Sequence, residues 1–130
     1  MPRIFLFRGK TVEELQAMKV DDFAKLLESR QRRALKRNSI QVKELEAKID
    51  AVKKKDPKKL IKTRTREAVI LPSWLGLNIA VHNGKEYKQL AIGPEMLGHR
   101  LGDFVFSTKR VMHSAPGIRA TRGSKFLAVK

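Results

Sequence analysis

Fifteen basic residues and only five acidic ones occupy positions 28–66, a local excess of +10. Charges in such excess cannot be interior. They must lie on a surface, where their self-repulsion is relieved by water, salt or an anionic partner. The flanking regions differ sharply from this segment. Residues 1–27 carry five bases and four acids, residues 67–106 three bases and four acids, and residues 107–130 six bases and no acid. The pattern is a nearly neutral body set between a basic middle segment and a basic tail. Over all 130 residues the net charge is +16, which is most easily explained by a polyanion, either nucleic acid or an anionic membrane surface. The hydrophobic content of 42% is too high for a disordered basic tail alone, and the length suits one domain. With no cysteine, disulfides and cysteine-ligated metals are excluded. The apolar run near Met1–Arg8 is too short for a signal peptide, and no stretch approaches the ~20 residues of a membrane span.

Hydrophobic spacing predicts helices in the first half. Thr11 and Glu14 form a capping box ahead of Val12, Leu15 and Met18. Asp21 and Asp22 open a second helix that carries Phe23, Leu26 and Leu27. Residues 31–37 continue as a basic helical stretch. A further helix runs from about Ile40 to Lys54, with Val42, Leu45, Ile49 and Val52 as its apolar stripe. These two long helices are expected to pack as a hairpin, and Asp56-Pro57 ends the second. Beyond this point the period changes. Residues 67–71 form a β-rich run before Pro72, and residues 77–82 alternate in polarity. Asn83-Gly84 is a two-residue hairpin signal with positive φ expected at both positions. Residues 87–92 form the returning strand. After Gly93-Pro94, Glu95 opens a short helix over residues 96–104. The division expected is a helical extension over residues 1–60, an α+β core over residues 61–115 and an extended basic tail over residues 116–130.

The chain offers no catalytic constellation. His82, His99 and His113 lack the i, i+4 spacing of a zinc helix, and adjacent acids such as Glu13/Glu14 and Asp21/Asp22 suit helix N-termini better than acid–base work. No phosphate-cradling loop of Walker or dinucleotide type is present. No metal, cofactor or enzymatic role is expected. The functional signal lies in the bases. Lys53, Lys54, Lys55, Lys58, Lys59, Lys62, Arg64 and Arg66 lead from a helix toward a strand, and so lie beside a folded surface. A solvated linker is the plain alternative. Arg30, Arg32, Arg33, Lys36 and Arg37 make their helix basic nearly all round, and like charges at i, i+3 and i+4 destabilise a helix that has no counter-charge. A membrane-surface helix would instead segregate its bases from a large apolar face. No DNA-reading motif is present. A basic body with basic arms suits RNA, whose phosphates line clefts that a compact domain cannot enter.

The second half also resembles a known family. Asn83-Gly84-Lys85, Ile92, Leu97-Gly98, Leu101-Gly102-Asp103-Phe104 and Ser107 stand at the spacing of the signature of the small-subunit ribosomal protein S-nineteen family, and the run over residues 79–84 adds to the match. The long helical start and the tail over residues 116–121 are similar to its archaeal and eukaryotic branch, called S-fifteen in eukaryotes. The resemblance implies an α+β fold with a small three-stranded sheet and a structural role in the head of the small ribosomal subunit, in the cytoplasm. It implies small-subunit rRNA as partner and the S-thirteen family protein as neighbour, with no membrane and no homo-oligomer. It implies RNA contacts at Lys85, His99, Arg100, Lys109 and Arg110, and a C-terminal tail directed toward the tRNAs. The tail residues Arg119, Arg122 and Lys125 join the RNA-contact set on charge.

The tail has few large apolar side chains beyond Ile118 and faces no acid within its own segment, so it gains little from packing on the body. Deleting residues 117–130 is therefore expected to leave the domain folded and able to join the subunit while weakening tRNA binding. Subunits reconstituted with the truncated chain test this through incorporation and tRNA affinity. Lost incorporation with intact folding would instead make the tail an assembly anchor.

Overall fold

The computed structural model describes residues 3–113. Four helices come first: α1 (Val12–Ala17), α2 (Val20–Leu26), α3 (Ser29–Arg37) and α4 (Ile40–Lys55). A three-stranded sheet follows, with β1 (Ile61–Thr63), β2 (Asn78–His82) and β3 (Tyr87–Ala91) in the order β1-β2-β3. The fold is thus α+β, as expected. Three short 3-10 helices, Pro72–Trp74, Pro94–Met96 and Leu101–Phe104, close the core.

The capping box of α1 forms as read: Thr11 N–H donates to Glu14 Oε2 at 3.0 Å, and Thr11 Oγ1 accepts from Glu14 N at 3.4 Å. In α4 the stripe divides by depth, with Leu45 and Ile49 buried and Val42 and Val52 partly so. Phe23 of α2, Leu15 of α1 and the sheet residues Ile79 and Val81 complete one hydrophobic core with Ile70, Leu101 and Val105.

The long helices do not pack as the expected hairpin. Asn38 turns the chain between them in a left-handed conformation (φ 33°), and α3 packs against α2 while α4 packs against β1. Arg32 fixes the α2–α3 corner. Its Nε donates to Ala24 O at 3.3 Å and its Nη2 to Leu27 O at 3.0 Å, satisfying carbonyls at the end of α2.

The first strand is not the run at residues 67–71. It is Ile61–Thr63, inside the basic segment, pairing in parallel with β2 at Ile61↔Ile79 and Thr63↔Val81. The run Ala68–Leu71 is buried at every position instead of alternating, and contributes only an isolated bridge between Val69 and Arg100. It forms part of the crossover that a parallel pair requires.

Two further expectations are corrected. The hairpin loop spans four residues, 83–86, between the paired His82 and Tyr87. Of the expected pair, only Gly84 has positive φ, at +101°. The Asn83 side chain shapes the turn instead, its Oδ1 accepting from Lys85 N at 2.9 Å and Glu86 N at 2.8 Å. Nor is residues 96–104 one helix. Gly98 breaks it at φ +78°, a conformation strained for any larger residue, and a Cβ there would lie 2.7 Å from Leu27 Cδ2, which would have to shift.

Arg66 joins the remaining parts. Its Nη1 donates to His82 O at 2.8 Å, and its Nη2 donates to Gly102 O at 3.2 Å and to Val105 O. Its own carbonyl accepts from Gly102 N at 2.8 Å. Replacing Arg66 by Ala strands several acceptors and is expected to lower unfolding free energy by about 3 kcal/mol. Arg66→Lys should recover only part of this, because one ammonium cannot reproduce the planar fork. Urea unfolding of both variants checks it, with a changed midpoint at constant slope as the expected form.

Candidate nucleic-acid interface

Arg30, Arg33 and Arg37 stand at i, i+3 and i+7 of α3, which places them on one face. That face, the start of α4 and the chain around Glu67 and Arg100 enclose a groove of about 340 Å³. Ala34, Ser39 and Val42 complete its lining. Four arginines thus line a groove that holds one acid. The carboxylate is held in place: Glu67 Oε1 accepts from Ser39 Oγ at 3.0 Å. Ser39 is the N-cap of α4, and with its hydroxyl directed to Glu67 it makes no side-chain cap bond. The positive end of the α4 dipole therefore adds to the field of the groove. Four arginines lining one groove suit phosphate oxygens, which guanidinium recognises bidentately.

The other two bases of the α3 cluster are on a different face. Arg32 and Lys36 line a second cavity with Asp21 and Lys25, and Arg32 is engaged with the α2 carbonyls. Basic character all round the helix is therefore real, but its two sides have different tasks.

The lysine-rich run is mostly free. Lys54, Lys55, Lys58 and Lys59 are exposed at and beyond the C-terminal end of α4, where cations are favoured by the helix dipole. Lys53 is half-buried and donates to Ser73 O. Lys62 and Arg64 are exposed on and just after β1, while Arg66 is turned inward to the carbonyls described above. Lys85 is exposed in the hairpin loop, and Lys109 and Arg110 are exposed near the end of the described chain. His99 is exposed with its ring edge-on to Phe104, centroids 5.7 Å apart, and Arg100 is half-buried in the groove. Arg119, Arg122 and Lys125, and the tail expected over residues 116–130, lie outside the described residues.

The set thus divides. Arg30, Arg33, Arg37 and Arg100 converge on one groove. The lysines at the other end of α4 form a second basic area, and Arg32, Arg66 and Lys53 bond to the protein's own backbone. Sequence reasoning missed Ser39 and Glu67, whose pairing across 28 positions leaves no local signal.

Among the described residues two titratable groups are shifted, neither in the groove. The hydrogen bond and charge of Asp22 raise Lys25. Burial raises Glu46, an effect opposed by a hydrogen bond from Asn38. Among the described residues the one ion pair is Lys25–Asp22 at 2.9 Å, so the bases of the groove and of the α4 end are not neutralised internally. Among the described residues no group of three or more His, Cys, Asp or Glu could hold a metal, and no helix is long and apolar enough to cross a membrane.

A family model described as ribosomal protein S19 matches residues 33–113. The chain is also 47% identical over 128 residues to the small ribosomal subunit protein uS19 of Saccharolobus solfataricus, covering 97% of this chain and 91% of that protein. The matched segment runs from the middle of α3 through the sheet to the last described residue.

Proposed function

Because this chain belongs to the ribosomal protein S19 family, we propose that it is an rRNA-binding constituent of the small ribosomal subunit that seats its arginine groove and the lysine-rich end of α4 on the phosphate backbone. Its role in the ribosome is structural and non-enzymatic. The observation that carries the RNA reading is the convergence of Arg30, Arg33, Arg37 and Arg100 on one groove with a single carboxylate facing them. A solvated basic helix has no reason to bring an arginine from residue 100 against three from α3. A phosphate passing between the two elements supplies one.

The finer reading follows the family resemblance. The protein lies in the subunit head, its neighbour is the S-thirteen family protein, and its C-terminal tail reaches toward the tRNAs during translation in the cytoplasm. Of the bases expected to contact RNA, Arg30, Arg33, Lys36, Arg37, Lys54, Lys55, Lys58, Lys59, Lys62, Arg64, Lys85, His99, Arg100, Lys109 and Arg110 are available to it, and Arg32, Arg66 and Lys53 support the fold beneath them.

Binding that rests on phosphate contacts must weaken with salt. If about six phosphates are neutralised, log affinity falls against log salt with a slope near −5 on duplex RNA, or −4 on single strands. Arg30→Ala with Arg33→Ala should lower affinity and make the slope shallower by about 2, roughly one per lost phosphate contact. Filter binding of the full chain to small-subunit rRNA fragments across several salt concentrations measures both. A wild-type slope near −1 would mean that the bases are mostly hydrated, and the RNA reading would fall.

A further inference from the structure

Another cleft, of about 450 Å³, opens between α4, the end of β1 and the start of β3. It differs in kind from the arginine groove. Its lining combines an aromatic ring, Tyr87, with the cations Lys48, Lys62 and Arg64 and with the polar groups of Gln41 and Glu44. Its size falls within the ~300–1,000 Å³ of ordinary small-ligand pockets. Tyr87 is the single tyrosine of the chain. Unlike the core aromatics Phe23 and Trp74, which are about 1–2% exposed, Tyr87 is 39% exposed. The Lys62 ammonium sits 5.6 Å from the centre of its ring, and the His82 ring meets it edge-on with centroids 4.8 Å apart. His82 thus steadies the ring from within the sheet, while a flexible exposed lysine covers it from solvent.

We propose that this cleft takes one unpaired nucleotide of the bound RNA, its base stacked on Tyr87 and its phosphate held by Lys62 and Arg64. The inference rests on the RNA-binding reading above and adds a second mode of contact to it. Stacking on an exposed aromatic, with edge hydrogen bonds from neighbouring polar groups, is how proteins read unstacked bases in single-stranded loops and bulges. Within a duplex each interior base is covered on both faces by its neighbours, so the cleft separates looped from paired RNA where the arginine groove cannot. Lys62 is the element that moves. Its ammonium rests over the ring when the cleft is empty and is displaced to the phosphate when a base arrives, so a cation–ring contact is exchanged for a charge-assisted one. Glu44, on the same helix face as Gln41 and Lys48, makes no ion pair among the described residues. Its carboxylate accepts hydrogen bonds only, and so favours a base whose edge carries N–H groups, as guanine does with its adjacent imino and amino donors. The lone acid in a cleft with three cations is thus accounted for by the base edge, while a purely phosphate-binding cleft would be weakened by it.

The test uses the full chain with two fluorescent RNAs of equal length, one a hairpin with an unpaired guanine-containing loop and the other a blunt duplex. Anisotropy titrations compare wild type with Tyr87→Leu, which keeps apolar bulk on the strand, with Tyr87→Phe, which keeps the ring, and with the Arg30→Ala, Arg33→Ala double variant. Loss of a single stacked base weakens binding by at least about five-fold. The expected result is a loss of that size for Tyr87→Leu on the looped RNA, no change on the duplex, and wild-type behaviour for Tyr87→Phe. Equal weakening on both RNAs, or none on either, overturns the proposal. If the arginine double variant weakens both RNAs while Tyr87→Leu changes nothing, the RNA reading stands and the base pocket falls. If wild type binds neither RNA, both fall. Thermal melts of each variant accompany the titrations. Should Tyr87→Leu be unfolded, Tyr87→Thr, which removes the ring and leaves a strand-forming residue at this exposed position of β3, replaces it with the same expectation of a loss confined to looped RNA.

Discussion

The guanidinium of Arg66 is the contact on which the rest of the architecture depends. Its planar fork meets carbonyls from the end of β2 and from both ends of the final 3-10 helix, parts that the chain visits 16 to 39 positions later. Backbone bonds such as Leu101 N–H to Ala68 O run alongside it, but only the Arg66 side chain links the end of β2 directly to the final 3-10 helix among the hydrogen bonds of the described residues. A charged donor is well suited to the task, because bonds from an ionised group are stronger than neutral ones and several acceptors share one source. The consequence extends to function. Arg100, which faces the arginines of α3 across the groove, lies two residues before Gly102, whose carbonyl and amide both bond to Arg66. Arg66 thus helps hold one wall of the groove from outside it, together with the bridge between Val69 and Arg100.

This division of labour among like residues is the main lesson of the charge pattern. Arg32 and Arg66 satisfy backbone carbonyls, whereas Arg30, Arg33 and Arg37 point to a groove with a single acid in it. The distinction follows from geometry. A guanidinium directed at the end of a helix or at converging loops finds acceptors whose bonding would otherwise be incomplete. One that finds none retains its demand for an anion. The charge excess assigned to a partner is therefore smaller than the sequence total but more sharply placed.

Local chemistry was legible in the sequence; long-range chemistry was not. The capping box at Thr11–Glu14 and the buried Leu45 and Ile49 of α4 follow from spacing within a few residues, and the structure contains both. The strand β1 was hidden because only three residues long: Ile61 and Thr63 are buried around an exposed Lys62, an alternation lost amid lysines. The run at residues 67–71 misled for the opposite reason, since complete burial in a crossover is as apolar as a strand. Gly98 was legible as a glycine that admits a close neighbour, but the neighbour itself, the Leu27 side chain, lies about seventy positions away in the chain and could not be read. At the site, the basic residues were visible as composition, but their sorting into groove, helix end and backbone support required the fold. Tyr87 read only as part of a strand.

The helix α4 has a role beyond packing. It is 16 residues long, with the arginine groove at its first turn and Lys53, Lys54 and Lys55 in its last. At about 1.5 Å per residue it holds these two basic areas some 24 Å apart as a rigid spacer, and its buried Leu45 and Ile49 fix its rotation against β1. Both the span and the phase of the two areas are thereby set. Inserting one residue would lengthen the spacer by only ~1.5 Å but swing one end about 100° relative to the other. The helix is thus a gauge whose angular setting is far less forgiving than its length.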